Sequence, residues 1–130
     1  VIDLDTVMPS FVFSDYGDFL RTGANFVAED DPKIENVGFN QDIFRAFTEG
    51  YIESARSFLT PVEVENLPYA VALFPFMQCV RFFADYLNGD TYYKIAYPEH
   101  NLVRTRNQQA LYHRVTDNYD MMDNFIRTLI

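Results

Sequence analysis

The amino-acid sequence predicts a mainly α-helical fold with one short strand at the N-terminus. Apolar residues recur at intervals of three and four over most of the chain, which is the spacing of one helix face. Residues that cap helices precede these stretches, and Gly or Pro interrupts or follows them. Of the 130 residues, 48% are hydrophobic, which is enough to build the core of one domain. We therefore expect a single domain over residues 1–130, in which four or five helices follow the strand.

The strand is predicted from the first nine residues, VIDLDTVMP, a short apolar run that ends at Pro9. Side chains two positions apart share a face of a strand, so Asp3 and Asp5 would point the same way. Paired carboxylates at a strand end are costly without a positive partner. A divalent metal that holds phosphate would be such a partner. The alternative is that one of these acids merely caps the next turn.

Polar residues mark the starts of the next helices. Ser14 can cap a short helix, and Asn40 can cap a helix over about residues 41–58. Thr60 begins a capping box that Glu63 completes, so a further helix is predicted to start there.

The segment from Leu67 to Leu87 is apolar nearly all round, which predicts a buried central helix. Pro68 and Pro75 are expected to break or kink it, and Gly89 is expected to end it. A last helical region over about residues 101–129 is expected to bend where cap-forming residues cluster near its middle.

The charge and the cysteine content restrict the partners and the location. The net charge of −9 repels nucleic acid and anionic membranes, so neither is expected as a partner. No apolar run approaches the roughly 18 residues expected of a membrane-spanning helix. The single cysteine, Cys79, allows no disulfide within the chain and is consistent with a reducing, cytoplasmic location.

The chain opens at Val1, inside the predicted strand. A lone strand needs neighbours to pair its backbone groups. We therefore expect the chain to be the C-terminal piece of a longer protein. An exposed strand edge and apolar interface would then make the isolated piece prone to self-association.

An Asp-x-Asp pair after an apolar strand occurs in three settings. In phosphatases of the haloacid dehalogenase type and in nucleotide-sugar glycosyltransferases, further strands follow the Asp-x-Asp pair. In kinase-like phosphotransferases the metal-binding Asp is followed by a helical lobe. The helical pattern downstream of Asp5 favours the third setting.

Seven stretches resemble the aminoglycoside phosphotransferase and choline kinase superfamily, and within it most closely the N-acetylhexosamine 1-kinases. The resemblance covers nearly the whole chain and weakens after about residue 108. The stretches are VIDLDTVMP (1–9), SDYGDFLRTGAN (14–25), SFLTP (57–61), ENLPY (65–69), FMQCVRF (76–82), DYLNGDTYYKI (85–95) and YPEHNLVRTR (97–106).

The resemblance implies the helical C-terminal lobe of an enzyme that uses ATP and Mg²⁺ to phosphorylate the anomeric hydroxyl of N-acetylglucosamine or N-acetylgalactosamine. It implies that Asp3 binds Mg²⁺ on the nucleotide phosphates, with Asp5 a weaker candidate. Asp18 would brace the catalytic loop, and Arg81 and Tyr92 would hydrogen-bond the sugar. The catalytic Asp and the nucleotide-binding lobe would lie upstream of Val1, so no catalytic residue is expected in this chain.

The residues alone leave alternatives open. Arg81 could form an ion pair with Asp85, four positions on along a helix. The ring of Tyr92 could simply pack against its neighbours while its hydroxyl is exposed to water. Alternatively, a chain reversal at Gly89 could bring Tyr92 beside Arg81 in one pocket. His100 fits a surface or capping role better than a catalytic one. The substrate could instead be choline or an aminoglycoside, or the chain could be a non-catalytic helical interaction module.

Overall fold

The structure, a computed structural model, describes Ile2 and residues 4–130; of Thr6 it describes the backbone only. The described part is mainly α-helical, as predicted. Its elements are a 3₁₀ turn at Leu4–Thr6, α1 (Phe13–Gly23), a 3₁₀ turn at Ile34–Asn36, α2 (Gln41–Ala55), α3 (Pro61–Glu65), α4 (Leu67–Leu87), α5 (His100–Thr116) and α6 (Tyr119–Arg127).

The predicted N-terminal strand is wrong for its described residues. Leu4–Thr6 form a 3₁₀ turn, and the N–H of Val7 donates to the carbonyl of Leu4 at 3.2 Å. Within the described residues, the one extended pairing is an isolated antiparallel bridge between Asn25 and Phe39. With no strand beside it, this segment satisfies backbone groups locally, because an unpaired strand leaves them without partners.

Two of the three predicted helix starts are confirmed by their cap bonds. Asn40 Oδ1 accepts two backbone N–H groups at the start of α2. Thr60 and Glu63 form both halves of the capping box at the start of α3. The prediction for Ser14 is wrong, because α1 begins one residue earlier, at Phe13, and makes no side-chain cap bond.

α4 runs unbroken from Leu67 to Leu87, so the predicted break at its prolines is wrong. Pro68 lies in the first turn, where its missing N–H would have no helical partner in any case. Pro75 removes one interior hydrogen bond. Packing of α4 against α1 on one side and α5 on the other compensates for that loss.

One face of α4 is not covered by the described part of the chain, so the prediction of all-round burial is wrong. By length and composition alone α4 also qualifies as a membrane-spanning helix, so the expectation that no apolar run approaches that length is wrong. The core helix of a soluble protein meets the same two criteria. Its opposite face packs into the core through Leu67, Val71 and Phe82. The uncovered residues, 39–66% exposed, are Tyr69, Phe76, Met77, Val80, Phe83 and Leu87.

α1 and α4 approach each other closely at Gly17. A Cβ at this position would clash with the Phe74 ring and lie 2.6 Å from the carbonyl oxygen of Ala70. Because backbone cannot move aside cheaply, we expect Gly17→Ala to lower the free energy of unfolding by about 1–3 kcal/mol. Gly50→Ala on α2 is the matched control, since its Cβ meets open space. It should raise stability by roughly 0.5–1 kcal/mol.

Urea unfolding of the two glycine variants measures this difference. Equal stability of the Gly17 and Gly50 variants would mean that α1 and α4 do not touch as described.

Candidate functional site

The C-terminal half of α4 and the segment after it enclose a cleft of about 280 Å³. Arg81 and Tyr92, the two residues implied to contact a sugar, both line it. The prediction that Arg81 and Tyr92 line one pocket is therefore confirmed, while their binding of a sugar stays a prediction. The full lining is Arg81, Ala84, Asp85, Asn88, Thr91, Tyr92 and Tyr93.

A tight reversal after α4 brings the two walls of the cleft together. Gly89 has φ of 86° and Asp90 has φ of 57°, so two successive residues are left-handed. The Gly89 N–H donates to the carbonyl of Tyr86 at 3.2 Å, and the Asp90 N–H to that of Asp85 at 2.8 Å. This pair of bonds is the Schellman motif, which ends the helix and turns the chain back over it.

The Asp85 carboxylate holds the returning segment. Its Oδ1 accepts the backbone N–H groups of Thr91 at 3.0 Å and Tyr92 at 2.9 Å. Its Oδ2 accepts the N–H of Tyr93 at 3.0 Å and Asn101 Nδ2 at 2.8 Å. Asp85 is only 6% exposed, so these donors replace the water that a surface carboxylate would have.

The alternative ion pair between Arg81 and Asp85 is wrong: no guanidinium nitrogen of Arg81 lies within 4.0 Å of a carboxylate oxygen of Asp85. Burial would raise the pKa of the Asp85 carboxyl, but its four hydrogen bonds outweigh that effect and hold the pKa below the usual value. At any pH above the ordinary carboxyl pKa, these bonds make their full contribution to the free energy of unfolding. That contribution is lost as the pH falls through the lowered pKa of Asp85 in the folded protein.

The Arg81 guanidinium lies at the exposed mouth of the cleft. Its Cζ is 5.8 Å from the centroid of the Tyr92 ring and 5.6 Å from that of Tyr93. Its nearest side-chain acceptor is Gln78 Oε1, at 3.5 Å from Nη1. Within the described part of the chain no carboxylate pairs with it, so its N–H groups can donate to a ligand.

The two tyrosines differ in how firmly they are held. The ring of Tyr93 packs against Phe82 at 4.8 Å, and its hydroxyl accepts Gln78 Nε2 at 3.2 Å. Tyr92 is 73% exposed and meets the Tyr93 ring edge-on at 4.8 Å. Tyr93 therefore supports the cleft, whereas Tyr92 presents a ring and a hydroxyl to whatever enters it.

Of the two predicted metal ligands, Asp5 does not line this cleft. Asp3 lies outside the described residues, so its placement is not established. Asp5 lies in the turn at Leu4–Thr6 with its side chain exposed. Over residues 2 and 4–130, no group of three or more His, Cys, Asp or Glu side chains forms a cation site. What Asp5 supplies is an accessible carboxylate, which is the donor type that Mg²⁺ prefers.

Asp18 lies on the surface of α1 and accepts Arg21 Nε at 2.9 Å. Arg21 Nη1 also donates to Glu29 at 2.7 Å and to Gln108 at 3.4 Å. Burial would lower the pKa of Arg21, but the bonds to the two carboxylates outweigh it and raise the pKa. Asp18 thus helps to tie α1 to the following loop, and its role toward a catalytic loop stays a prediction.

His100 links two loops. The N–H of Ala96 donates to its Nδ1 at 3.0 Å, so the ring proton lies on Nε2, which donates to Asp30 at 3.1 Å. With both ring nitrogens engaged, His100 has a structural role. It is buried and makes no cap bond at the start of α5, so the predicted surface or capping position is wrong.

A more enclosed hollow of about 450 Å³ lies at the other end of the molecule, between α2, α3 and α6. Its floor is apolar, with Ile52, Leu59 and Ile126. At its rim Arg127 is already paired with Asp123 at 2.9 Å. Because that guanidinium is engaged, this hollow is a weaker candidate for a polar ligand than the Arg81 cleft.

The sequence patterns missed the main polar support of the cleft. From the sequence, Asp85 is predicted only as an ion-pair partner of Arg81, and no individual role is predicted for Asn101 or Arg104. The signal was present: an acid inside an apolar helix needs donors, and the turn at Gly89 brings backbone N–H groups within reach. No protein-family model matches this sequence.

Proposed function

We propose that this chain is the helical C-terminal lobe of a cytoplasmic N-acetylhexosamine 1-kinase. This enzyme transfers the γ-phosphoryl group of ATP to the anomeric hydroxyl of N-acetylglucosamine or N-acetylgalactosamine. The observation that carries the proposal is the joint position of Arg81 and Tyr92 in one cleft. The family resemblance implies that these two residues contact the sugar, and they are eleven positions apart in the chain.

The chemistry of the cleft suits a neutral polyol. The Arg81 guanidinium offers several N–H donors to hydroxyl or amide oxygens. The Tyr92 ring offers an apolar surface to the C–H face of a sugar and a hydroxyl at its tip. The Asp85 carboxylate is not free to bind a ligand, because four neutral donors already occupy its oxygens.

Asp3 and Asp5 are the residues that would hold Mg²⁺ on the nucleotide phosphates. Mg²⁺ is commonly bound by one or two carboxylates together with substrate phosphates, so a donor set of this size fits it. When bound, the ion neutralises charge on the phosphoryl groups. Arg81 and Tyr92 would bind and orient the sugar hydroxyl, which is the contribution that positioning makes to phosphoryl transfer.

The alternative substrates fit the cleft less well. Choline and aminoglycosides are cations. The Tyr92 and Tyr93 rings could attract a quaternary ammonium, but the unpaired Arg81 guanidinium beside them repels it. The alternative of a non-catalytic interaction module is favoured by one observation, the uncovered apolar face of α4. A helix face of this kind is typical of a surface that binds another protein segment.

The test is an assay of the full-length protein with ATP and Mg²⁺ against N-acetylglucosamine, N-acetylgalactosamine, choline and an aminoglycoside. We expect an N-acetylhexosamine 1-phosphate as the product. The 130-residue chain alone should be inactive, because the proposal places the catalytic Asp and the nucleotide lobe outside it. Phosphorylation of choline alone, or activity of the isolated chain, would overturn the proposal.

We expect the 130-residue chain to self-associate through the uncovered face of α4. Phe76→Glu places a charge on that face and should shift the chain toward monomer in sedimentation velocity. Val62→Glu is the matched control, because Val62 is 67% exposed but belongs to α3 and not to α4. A wild-type chain that stays monomeric at all concentrations would contradict the expectation.

A further inference from the structure

We propose that Asp85 is a positioning residue for the cleft between Arg81 and Tyr92. In this proposal its carboxylate holds the backbone of residues 91–93, and it contacts no ligand itself. The part that concerns the sugar rests on the proposed function, whereas the part that concerns the loop stands on geometry alone.

The backbone of this loop depends on one side chain. Three consecutive N–H groups, those of Thr91, Tyr92 and Tyr93, all donate to the Asp85 carboxylate at 2.9–3.0 Å. Successive N–H groups normally point in different directions, so their convergence on one acceptor defines the path of the chain. The carboxylate is 6% exposed, so water cannot readily take its place.

The same carboxylate connects the loop to α5. Asn101 Nδ2 donates to Asp85 at 2.8 Å and to Asp90 at 2.9 Å, so one buried amide bridges two acids. Arg104 Nη1 donates a hydrogen bond to Asn101 Oδ1 at 3.0 Å and a second one to the backbone carbonyl of Lys94 at 3.2 Å. These bonds attach both ends of the loop to one helix.

The position of Tyr92 follows from this arrangement. Its side chain is 73% exposed and has ring contacts with Tyr93 and Arg81. Such contacts hold a side chain weakly, so the backbone determines where the ring lies. Loss of the carboxylate would leave three donors unpaired and let Tyr92 sample other positions. A binding site that must be ordered by its ligand has a lower affinity than one that is already in place.

Hydrogen exchange in the full-length protein tests the loop. We expect the N–H groups of Thr91, Tyr92 and Tyr93 to exchange at least about tenfold faster in Asp85→Ala, with core helices unchanged. Asp85→Asn keeps one acceptor oxygen and should give an intermediate rate. Asp120→Asn, an exposed acid on α6, is the control and should match wild type. Unchanged exchange in both Asp85 variants would overturn the proposal.

Sugar kinetics test the positioning role. We expect Asp85→Asn to raise the sugar KM at least about fivefold, while the kcat at saturating sugar and the KM for ATP change little. A lower melting temperature is expected for either role, but a merely structural residue would leave the sugar KM of the folded fraction unchanged. If Asp85→Ala does not fold, both the hydrogen exchange and the sugar kinetics are measured on Asp85→Asn.

The two proposals fail in different ways. A wild-type protein that phosphorylates no N-acetylhexosamine would refute the proposed function and the sugar part of this inference, and exchange at Thr91–Tyr93 would still decide the loop part. An active wild type whose sugar KM is unaffected by Asp85→Asn would refute the positioning role alone.

Discussion

Replacement of Asp3 by Asn in the full-length protein is expected to reduce turnover by about a hundredfold or more and to leave the fold intact. The resemblance of the VIDLDTVMP motif implies that Asp3 binds Mg²⁺ on the nucleotide phosphates. Loss of one charged ligand should remove several kcal/mol of transition-state stabilisation. Turnover at saturating Mg²⁺ measures the effect, and circular dichroism checks the fold.

Asp5→Asn is the matched control for Asp3→Asn. Asp5 is the weaker candidate for the same site, so its replacement should cost less turnover than that of Asp3. Activity of Asp3→Asn within about threefold of wild type would refute the metal role, because a lost ligand cannot have so small an effect.

Arg81→Ala is expected to lower the sugar specificity constant by about tenfold to a hundredfold, because a hydrogen bond from a charged group is worth roughly 1.5–3 kcal/mol. Tyr92→Phe removes a neutral hydroxyl and should cost less than about tenfold. Neither change should alter the KM for ATP much, since the nucleotide binds between the lobes in the proposed enzyme.

Thermal unfolding separates this effect from a structural one. Arg81 makes no ion pair within the described residues, so Arg81→Ala should leave the melting temperature nearly unchanged. Asp85→Ala removes an acceptor of four hydrogen bonds and should lower the melting temperature clearly. If both variants lose stability equally while sugar kinetics stay normal, Arg81 does not bind the sugar.

Much of the local structure could be predicted from the sequence, because its causes lie within a few residues. The cap of α2 at Asn40 and the box at Thr60 and Glu63 join groups two or three positions apart. The stop at Gly89 follows from the left-handed conformation that glycine adopts readily. The signals that set the ends of these helices are therefore local, whereas the stability of the helices comes mostly from packing.

The errors occurred where a pattern says which residues are apolar but not what covers them. The apolar run at residues 1–9 was predicted as a strand, yet no described strand lies beside it and Leu4–Thr6 turn locally. The segment Leu67–Leu87 was predicted to be buried all round, but the described chain covers only part of it. Strand pairing and burial both depend on neighbours that are distant in sequence.

From the sequence alone one can predict most of the helices, the caps at Asn40 and Thr60, and the reversal that brings Tyr92 back toward Arg81. The tertiary structure alone decided the partner of Asp85. A carboxylate four positions from an arginine on a helix can form an ion pair, but such a pair at a surface is weak. Once the chain has turned at Gly89, three backbone N–H groups converge on the same carboxylate, and together they outweigh one exposed guanidinium.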